Sequence, residues 1–203
     1  MNLDISRFYW INKPKEFKIE TNKIIIITEP GTDFWQRTYY GFRNDNAHAF
    51  MMSSEDNFTF TVLTQFNTKV MYDQCGVIVY QNSDNWFKAS IEFENEKYQR
   101  LGSVVTNNGY SDWATTDISS GIKSMYYRLS RRGPDFLVEN SEDGKNFKQM
   151  RVFHLFEGKR EINFGVYACS PLESSFDAAF SEMQLSGCIW KEYVNPDCPE
   201  FLK

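Results

Sequence analysis

The chain has no run of about 18 apolar residues, so it offers no helix long enough to span a bilayer. It also lacks an excess of basic charge. Its 22 Lys and Arg face 27 Asp and Glu, for a formal charge of −5 and a pI near 5.2. Nucleic-acid binding needs a basic face, so neither a membrane nor a nucleic acid is expected as a partner. Histidine is scarce, with His48 and His154 alone, which argues against a His-rich metal site. Oxygen-rich stretches such as "NDN" (44–46) lack a regular calcium-ligand pattern. No metal and no cofactor are expected. The four cysteines, Cys75, Cys169, Cys188 and Cys198, show no C-x-x-C spacing. They read as reduced thiols of a cytoplasmic protein, with a Cys188–Cys198 bridge near the C-terminal tail as the alternative. The opening "MNLDISRFYW" has no basic stretch followed by an apolar one, so no secretory signal is expected. Helix signals are weak, and there is no internal repeat, low-complexity segment or Pro/Gly/Ser linker.

What is present is aromatic and strand-like. Aromatic residues make up 17% of the chain, with 18 Phe and 11 Tyr, which suit pleated, half-buried surfaces. At 203 residues the chain is expected to form one domain over 1–190, followed by an irregular tail, 191–203, that contains Pro196 and Pro199. Strand-like segments succeed one another at short spacing. "KIIIITE" (23–29) is a solid apolar run that reads as a strand buried on both faces or in an interior position. "NFTFTVLTQF" (57–66) alternates, with Phe58, Phe60, Val62 and Phe66 on one face. "CGVIVYQNS" (75–83) runs through turn residues into "NWFKASIEF" (85–93), which predicts a hairpin. Asp143-Gly144 marks a second hairpin, and Gly133-Pro134 separates two further strands. His154 reads as a packed strand histidine. About a dozen strands with turn signals every 8 to 12 residues predict an all-β, two-sheet antiparallel jelly-roll sandwich. The segment 31–50 is the longest candidate loop, crowded with Trp35, Tyr39, Tyr40 and Phe42, and is expected to pack over the sandwich or line a site.

The strand 85–93 carries the strongest functional signal. At a period of two, Phe87, Ala89, Ile91 and Phe93 form a core face. The opposite face holds Trp86, Lys88, Ser90 and Glu92, with Glu94 following. A solvated strand face explains the charges, but an exposed Trp is less expected there. Six ordered stretches add to this: "DFWQRTYYGF" (33–42) with His48, "YDQCG" (72–76), "NWFKASIEF" (85–93), "SVVTNNGYSDW" (103–113), "RLSR" (128–131) and "YACSP" (167–171). In this order they resemble the domain family named for "regulation of enolase protein", which lies in the concanavalin A-like lectin/glucanase superfamily. The resemblance spans about residues 8–187 and implies two antiparallel sheets with a curved concave face. It implies no reaction. The positions that fit the family pattern are Trp35, His48, Asp73, Gln74, Trp86, Lys88, Glu92, Ser111, Asp112, Trp113, Arg128 and Arg131. Cys75 and Ser90 depart from it, since Ala or Gly is more usual there.

Three functions fit these residues. The leading one is non-catalytic binding of a carbohydrate or related small polar ligand on the concave sheet face, roofed by the 33–48 loop. Trp35, Trp86 and Trp113 would stack on the ligand, while Gln74, Lys88, Glu92, Asp112, His48 and either Arg128 or Arg131 would supply polar contacts. The second is a regulatory module that binds a protein partner. The third is a glycoside hydrolase in which Glu92 and a second carboxyl act as the catalytic pair. Glu94 and Glu96 fall in an apparent hairpin turn, "ENEK", and are expected to leave the face, which weakens that third reading.

Overall fold

The computed structural model describes residues 3–158 and 160–194. Apart from the short 3-10 turn Ile5–Arg7, its regular elements are strands. They form two seven-stranded sheets and a two-stranded ribbon. The first sheet runs, in spatial order, β1 (Tyr9–Ile11), β6 (His48–Ser54), β15 (Ile162–Cys169), β8 (Gln74–Asn82), β9 (Asn85–Phe93), β10 (Tyr98–Asn107) and β11 (Tyr110–Ser119). The second runs β14 (Lys148–His154), β13 (Asp135–Ser141), β12 (Ser124–Arg132), β7 (Phe58–Phe66), β16 (Asp177–Gly187), β3 (Lys23–Ile27) and β2 (Phe17–Glu20). The ribbon pairs β4 (Phe34–Gln36) with β5 (Arg43–Asp45). Neighbouring strands in both sheets are antiparallel. No helix among the described residues is long and apolar enough to cross a membrane.

Alternation builds the main core between the sheets. Phe58, Phe60 and Val62 of β7 face Phe87, Ala89 and Ile91 of β9 and Phe164 and Val166 of β15 across it. Aromatic pairs fill the layer: the ring centroids of Phe58 and Phe164 are 3.9 Å apart, as are those of Phe87 and Phe153. Such stacks add to the area they bury. "KIIII" is not buried on both faces. Ile24 and Ile26 point inward, while Ile25 and Ile27 are half-buried beside the edge strand β2. His154 is exposed near the end of the edge strand β14, where its Nδ1 lies 2.7 Å from Asp135.

The sheets contain strands that the local pattern did not reveal. The 31–50 segment holds β4, β5 and the start of β6. A further hairpin turns at Asn108-Gly109, whose φ values of 51° and 76° are the two positive angles of a type I′ turn. It generates β11. Cys75 and Cys169 are buried thiols. Cys198, and with it the expected alternative of a Cys188–Cys198 bridge, lies outside the described residues, as does most of the predicted tail.

Candidate functional site

The outer face of the first sheet, turned away from the main core, is where Lys88, Ser90 and Glu92 point. Register sets them in three tiers. Gln74, Glu92 and Arg100 lie side by side on β8, β9 and β10. Gly76, Ser90 and Gly102 form the next tier, and Ile78, Lys88, Val104 and Trp113 the third. Gly102 leaves the middle tier open. A Cβ there would meet the Thr115 side chain at 3.0 Å and the Trp113 indole nitrogen at 3.2 Å.

The segment from Pro30 to Ala47 folds back over this face and makes a second, smaller core. Phe34 packs on Trp86 with ring centroids 5.7 Å apart, and on Tyr80 and Tyr167. The ribbon is pinned by Ser111 Oγ, which accepts from the Gln36 amide at 2.9 Å, and by Arg37, which donates to the Gly109 carbonyl at 2.6 Å. Its tip, Arg37 to Gly41, carries positive φ at Arg37 (56°), Tyr39 (61°) and Gly41 (75°). Non-glycine residues hold such angles only where their surroundings impose them. The tip raises Tyr40 and Phe42 as a stacked pair, 5.6 Å between centroids. Between ribbon and sheet lies a cleft of about 660 Å³. Its walls are Trp35, Tyr40, Phe42, Trp113, Tyr72 and Leu172, and its floor is Gln74, Lys88, Ser90, Glu92 and Arg100.

The floor is a charge network. Lys88 Nζ donates to Asp33 Oδ1 at 3.0 Å, and both side chains are nearly buried. Burial alone would pull Lys88 down, but the carboxylates of Asp33 and Glu92 outweigh it and hold the ammonium above its usual range. Arg100 Nε lies 3.2 Å from Glu94, and its guanidinium sits 5.5 Å from the Trp113 ring centre. Glu92 Oε2 accepts from Gln74 Nε2 at 2.9 Å. Glu92 Oε1 is buried with no partner in the protein. Burial first, then Asp33 and Glu94, push the Glu92 carboxyl up to about 7 against the pull of Lys88 and Arg100.

Residues 10–188 match the family described as protein of unknown function (DUF1349). The chain belongs to this family. "Regulation of enolase protein 1" of Saccharomyces cerevisiae is 31% identical over 190 residues, covering 94% of either chain. A crystal structure of a functionally unknown protein from Saccharomyces cerevisiae is similar at 30% identity and a TM-score of 0.86, over 92% of this chain and all of that one. The GH43 protein BlXynB from Bacillus licheniformis aligns at 12% identity and a TM-score of 0.63, over 80% of this chain and 32% of its own. That likeness concerns the sandwich alone.

In this DUF1349 chain the structure brings together five of the residues singled out from sequence: Trp35, Gln74, Lys88, Glu92 and Trp113 all border the cleft. It separates the other five. Trp86 lies on the expected face but is wholly buried under Phe34, and its indole N–H donates to the Ser83 carbonyl at 3.1 Å. It cannot stack on a ligand. Asp112 is paired with Val105, whose side chain faces the main core, so it points away from Trp113 and the cleft and meets Arg151 at 2.9 Å. His48 is buried on β6, where Nε2 accepts from the Glu29 amide at 3.2 Å. Its Nδ1 lies 2.7 Å from the Asn12 carbonyl and therefore carries the proton. Arg128 and Arg131 belong to the second sheet. Arg128 makes a two-pronged pair with Glu139 at 2.7 and 2.8 Å. Arg131 is buried and donates to the carbonyls of Gly133, Ser54, Asp56 and Arg160. Neither arginine reaches the cleft.

Glu94, expected to leave with the turn, stays at the cleft because Arg100 holds it, while Glu96 is exposed. Sequence reading misses Asp33 and Arg100 as site residues, and it reaches Tyr40 and Phe42 only as members of the aromatic loop 31–50. Arg100 follows from the β9–β10 register once the hairpin is placed, since it sits opposite Glu92. Asp33 carries no local signal, because only the fold-back of its segment brings it to Lys88. Among the described residues no three His, Cys, Asp or Glu are grouped so as to hold a metal ion.

Proposed function

We propose that the cleft binds a carbohydrate or a related small polar ligand without transforming it. The observation that carries this reading is the pairing of aromatic walls with a polar floor. Trp35, Tyr40, Phe42 and Trp113 offer ring faces and edges to the apolar faces of a sugar, while Lys88, Ser90, Gln74 and Glu92 converge on its hydroxyls. Enclosed apolar surface with a few directional polar groups is the usual anatomy of a small-ligand site. The non-catalytic part of the reading rests on the charge network. Glycoside hydrolysis takes two carboxyls in separate roles. Asp33 and Glu94 each lie against a cation, at 3.0 and 3.2 Å, which leaves Glu92 as the cleft carboxyl without an ion pair among the described residues.

The test is a thermal-shift screen of the chain against mono- and oligosaccharides and sugar acids. A ligand present at about a hundred times its Kd adds ~2.7 kcal/mol to stability, or roughly 5–10 °C in a domain of this size. Trp113→Ala and Tyr40→Ala are expected to abolish the shift, since both rings stand on the wall. No shift across the panel would end the carbohydrate reading, and release of reducing sugar that Glu92→Gln stops would replace it with hydrolysis. A second reading, a regulatory module that binds a protein, is favoured by one feature. Tyr39, 93% exposed, stands beside the half-exposed Tyr40 and Phe42 on the ribbon tip. A stoichiometric partner lost on Tyr39→Ser and indifferent to Trp113→Ala supports that reading instead.

A further inference from the structure

We propose that Glu92 determines which ligand the cleft accepts: it meets the ligand as a neutral carboxylic acid and donates from Oε1 to a carboxylate, so the ligand is an acidic sugar of the uronic acid class. This inference rests on the carbohydrate reading above and narrows it.

Hydrogen bonding around Gln74 places the proton. Gln74 Oε1 accepts from the Tyr167 hydroxyl at 2.9 Å and faces the Ser90 hydroxyl at 3.4 Å. The amide nitrogen therefore points the other way, toward Tyr72 O at 3.2 Å and Glu92 Oε2 at 2.9 Å. With Oε2 acting as an acceptor, a proton on the carboxyl resides on Oε1. That atom has almost no accessible surface and no partner in the protein, and it belongs to a half-buried side chain that borders the cleft, so a ligand meets it as the carboxyl turns toward the cleft.

The charges around Glu92 leave it as the odd acid. On its own strand and just beyond lie Lys88 and Glu94, from β10 comes Arg100, and from the covering segment comes Asp33. Lys88 is matched by Asp33 and Arg100 by Glu94. From β15, Tyr167 and Cys169 bring no charge, because burial pushes both well up. Behind Gln74, Asp73 is occupied by the amides of Lys69 and Val70 and by the Ser174 hydroxyl, each about 2.9–3.0 Å away. Glu92 has no ion pair of its own among the described residues; Lys88 and Arg100 favour its ionised form, but burial outweighs them and holds the proton to about pH 7.

An odd, proton-bearing carboxyl discriminates between ligands. A sugar hydroxyl both donates and accepts, so it pairs with either form of Glu92 and is indifferent to the proton. A carboxylate only accepts, so it pairs with the protonated form and is repelled by the ionised one. The bond it gains is charge-assisted, shorter and roughly twice as strong as a neutral one. Above neutrality, binding then takes up one proton from solvent, and no covalent bond is made or broken.

The experiment is calorimetric titration of the whole chain with uronic acid mono- and disaccharides and with their carboxyl-reduced counterparts, at pH 5.5, 7 and 8.5. Beside it, the Glu92 carboxyl is titrated by ¹³C NMR in the free protein and assigned by its absence in Glu92→Gln. Uronates are expected to bind, with affinity falling about tenfold for each pH unit above 7. Glu92→Gln, a permanent neutral donor, is expected to bind them with no such slope. If the reduced sugars bind as well as the uronates, or the slope survives in Glu92→Gln, the proposal is wrong and the carbohydrate reading stands. If no sugar of either kind binds, both fall. A carboxyl that titrates in the ordinary Glu range overturns the proposal without reference to any ligand.

Discussion

Glu92 is a desolvated carboxyl without an ion pair of its own among the described residues, and this leaves a mark on stability. Its value in the folded chain, about 7, lies above its ordinary 4.5. Between those limits the folded chain keeps a proton that the unfolded chain has released. The contribution of this group to stability therefore falls as pH rises from about 4.5 to 7, and is level above that. Glu92→Gln removes the penalty. The variant is expected to match the parent in urea unfolding near pH 4 and to exceed it by as much as ~3 kcal/mol at pH 8. A gap that does not widen with pH would show that the carboxyl is not held in a desolvated site. Arg131 is the opposite case, a charge that gives four of its five N–H donors to backbone carbonyls, at 2.6 to 3.2 Å. Arg131→Met strands those carbonyls, and a loss of about 3 kcal/mol is expected with ligand affinity intact. A change in affinity would contradict its placement away from the cleft.

The segment Pro30–Ala47 turns a sheet face into a site, and two tryptophans separate its structural part from its binding part. Trp86 is fully enclosed beneath it, whereas Trp113 is 36% exposed on the wall. Trp86→Ala opens a large cavity and is expected to cost ~3–5 kcal/mol. Trp113→Ala is expected to cost little stability by comparison and to remove affinity. The reverse ranking, measured by urea unfolding and by titration of a confirmed ligand, would mean that the covering segment is not anchored through Phe34 and Trp86. These two residues also mark how far sequence carries. The period of two assigned both faces of 85–93, and hairpin signals placed most of the strands, because alternation and turn chemistry are local. Trp86 was read as exposed because an outward face of a sandwich normally meets water. What covers it comes from fifty residues upstream: the aromatic loop 33–48 reads as a roof, but no local pattern tells that Phe34 comes down on Trp86. Asp112 and Trp113 enter together through the motif "SVVTNNGYSDW". Recognising Asn108-Gly109 as a two-residue hairpin would have placed them on opposite faces of β11. His48, Arg128 and Arg131 entered through motif resemblance, which marks positions that matter without saying whether they hold the fold or a ligand.

At the scale of the molecule, this DUF1349 sandwich has two apolar cores of unequal size that share the first sheet. The larger lies between the sheets and contains Cys75; the smaller lies under the covering segment and contains Cys169. Burial pushes both thiols up, so neither reacts until its surroundings open. The larger core opens only with the sheets themselves. The smaller one is closed by a ribbon with one short ladder, β4 with β5, and by side-chain pins to the β8–β9 and β10–β11 hairpins. Regions with fewer buried contacts open at lower free energy than the global transition. In a Cys188→Ser/Cys198→Ser chain, Cys169 is therefore expected to react with a disulfide reagent about tenfold or more faster than Cys75. Cys75 is expected to follow global unfolding as denaturant is varied. A ligand in the cleft, bridging the ribbon's Tyr40 and the sheet's Trp113, should slow Cys169 and leave the ratio closer to one. Peptide mapping of the labelled chain over time reads both rates at once. Equal rates without ligand would mean that the cover and the sandwich open as one unit, and the cleft would then be a rigid slot rather than a site whose roof moves independently of its floor.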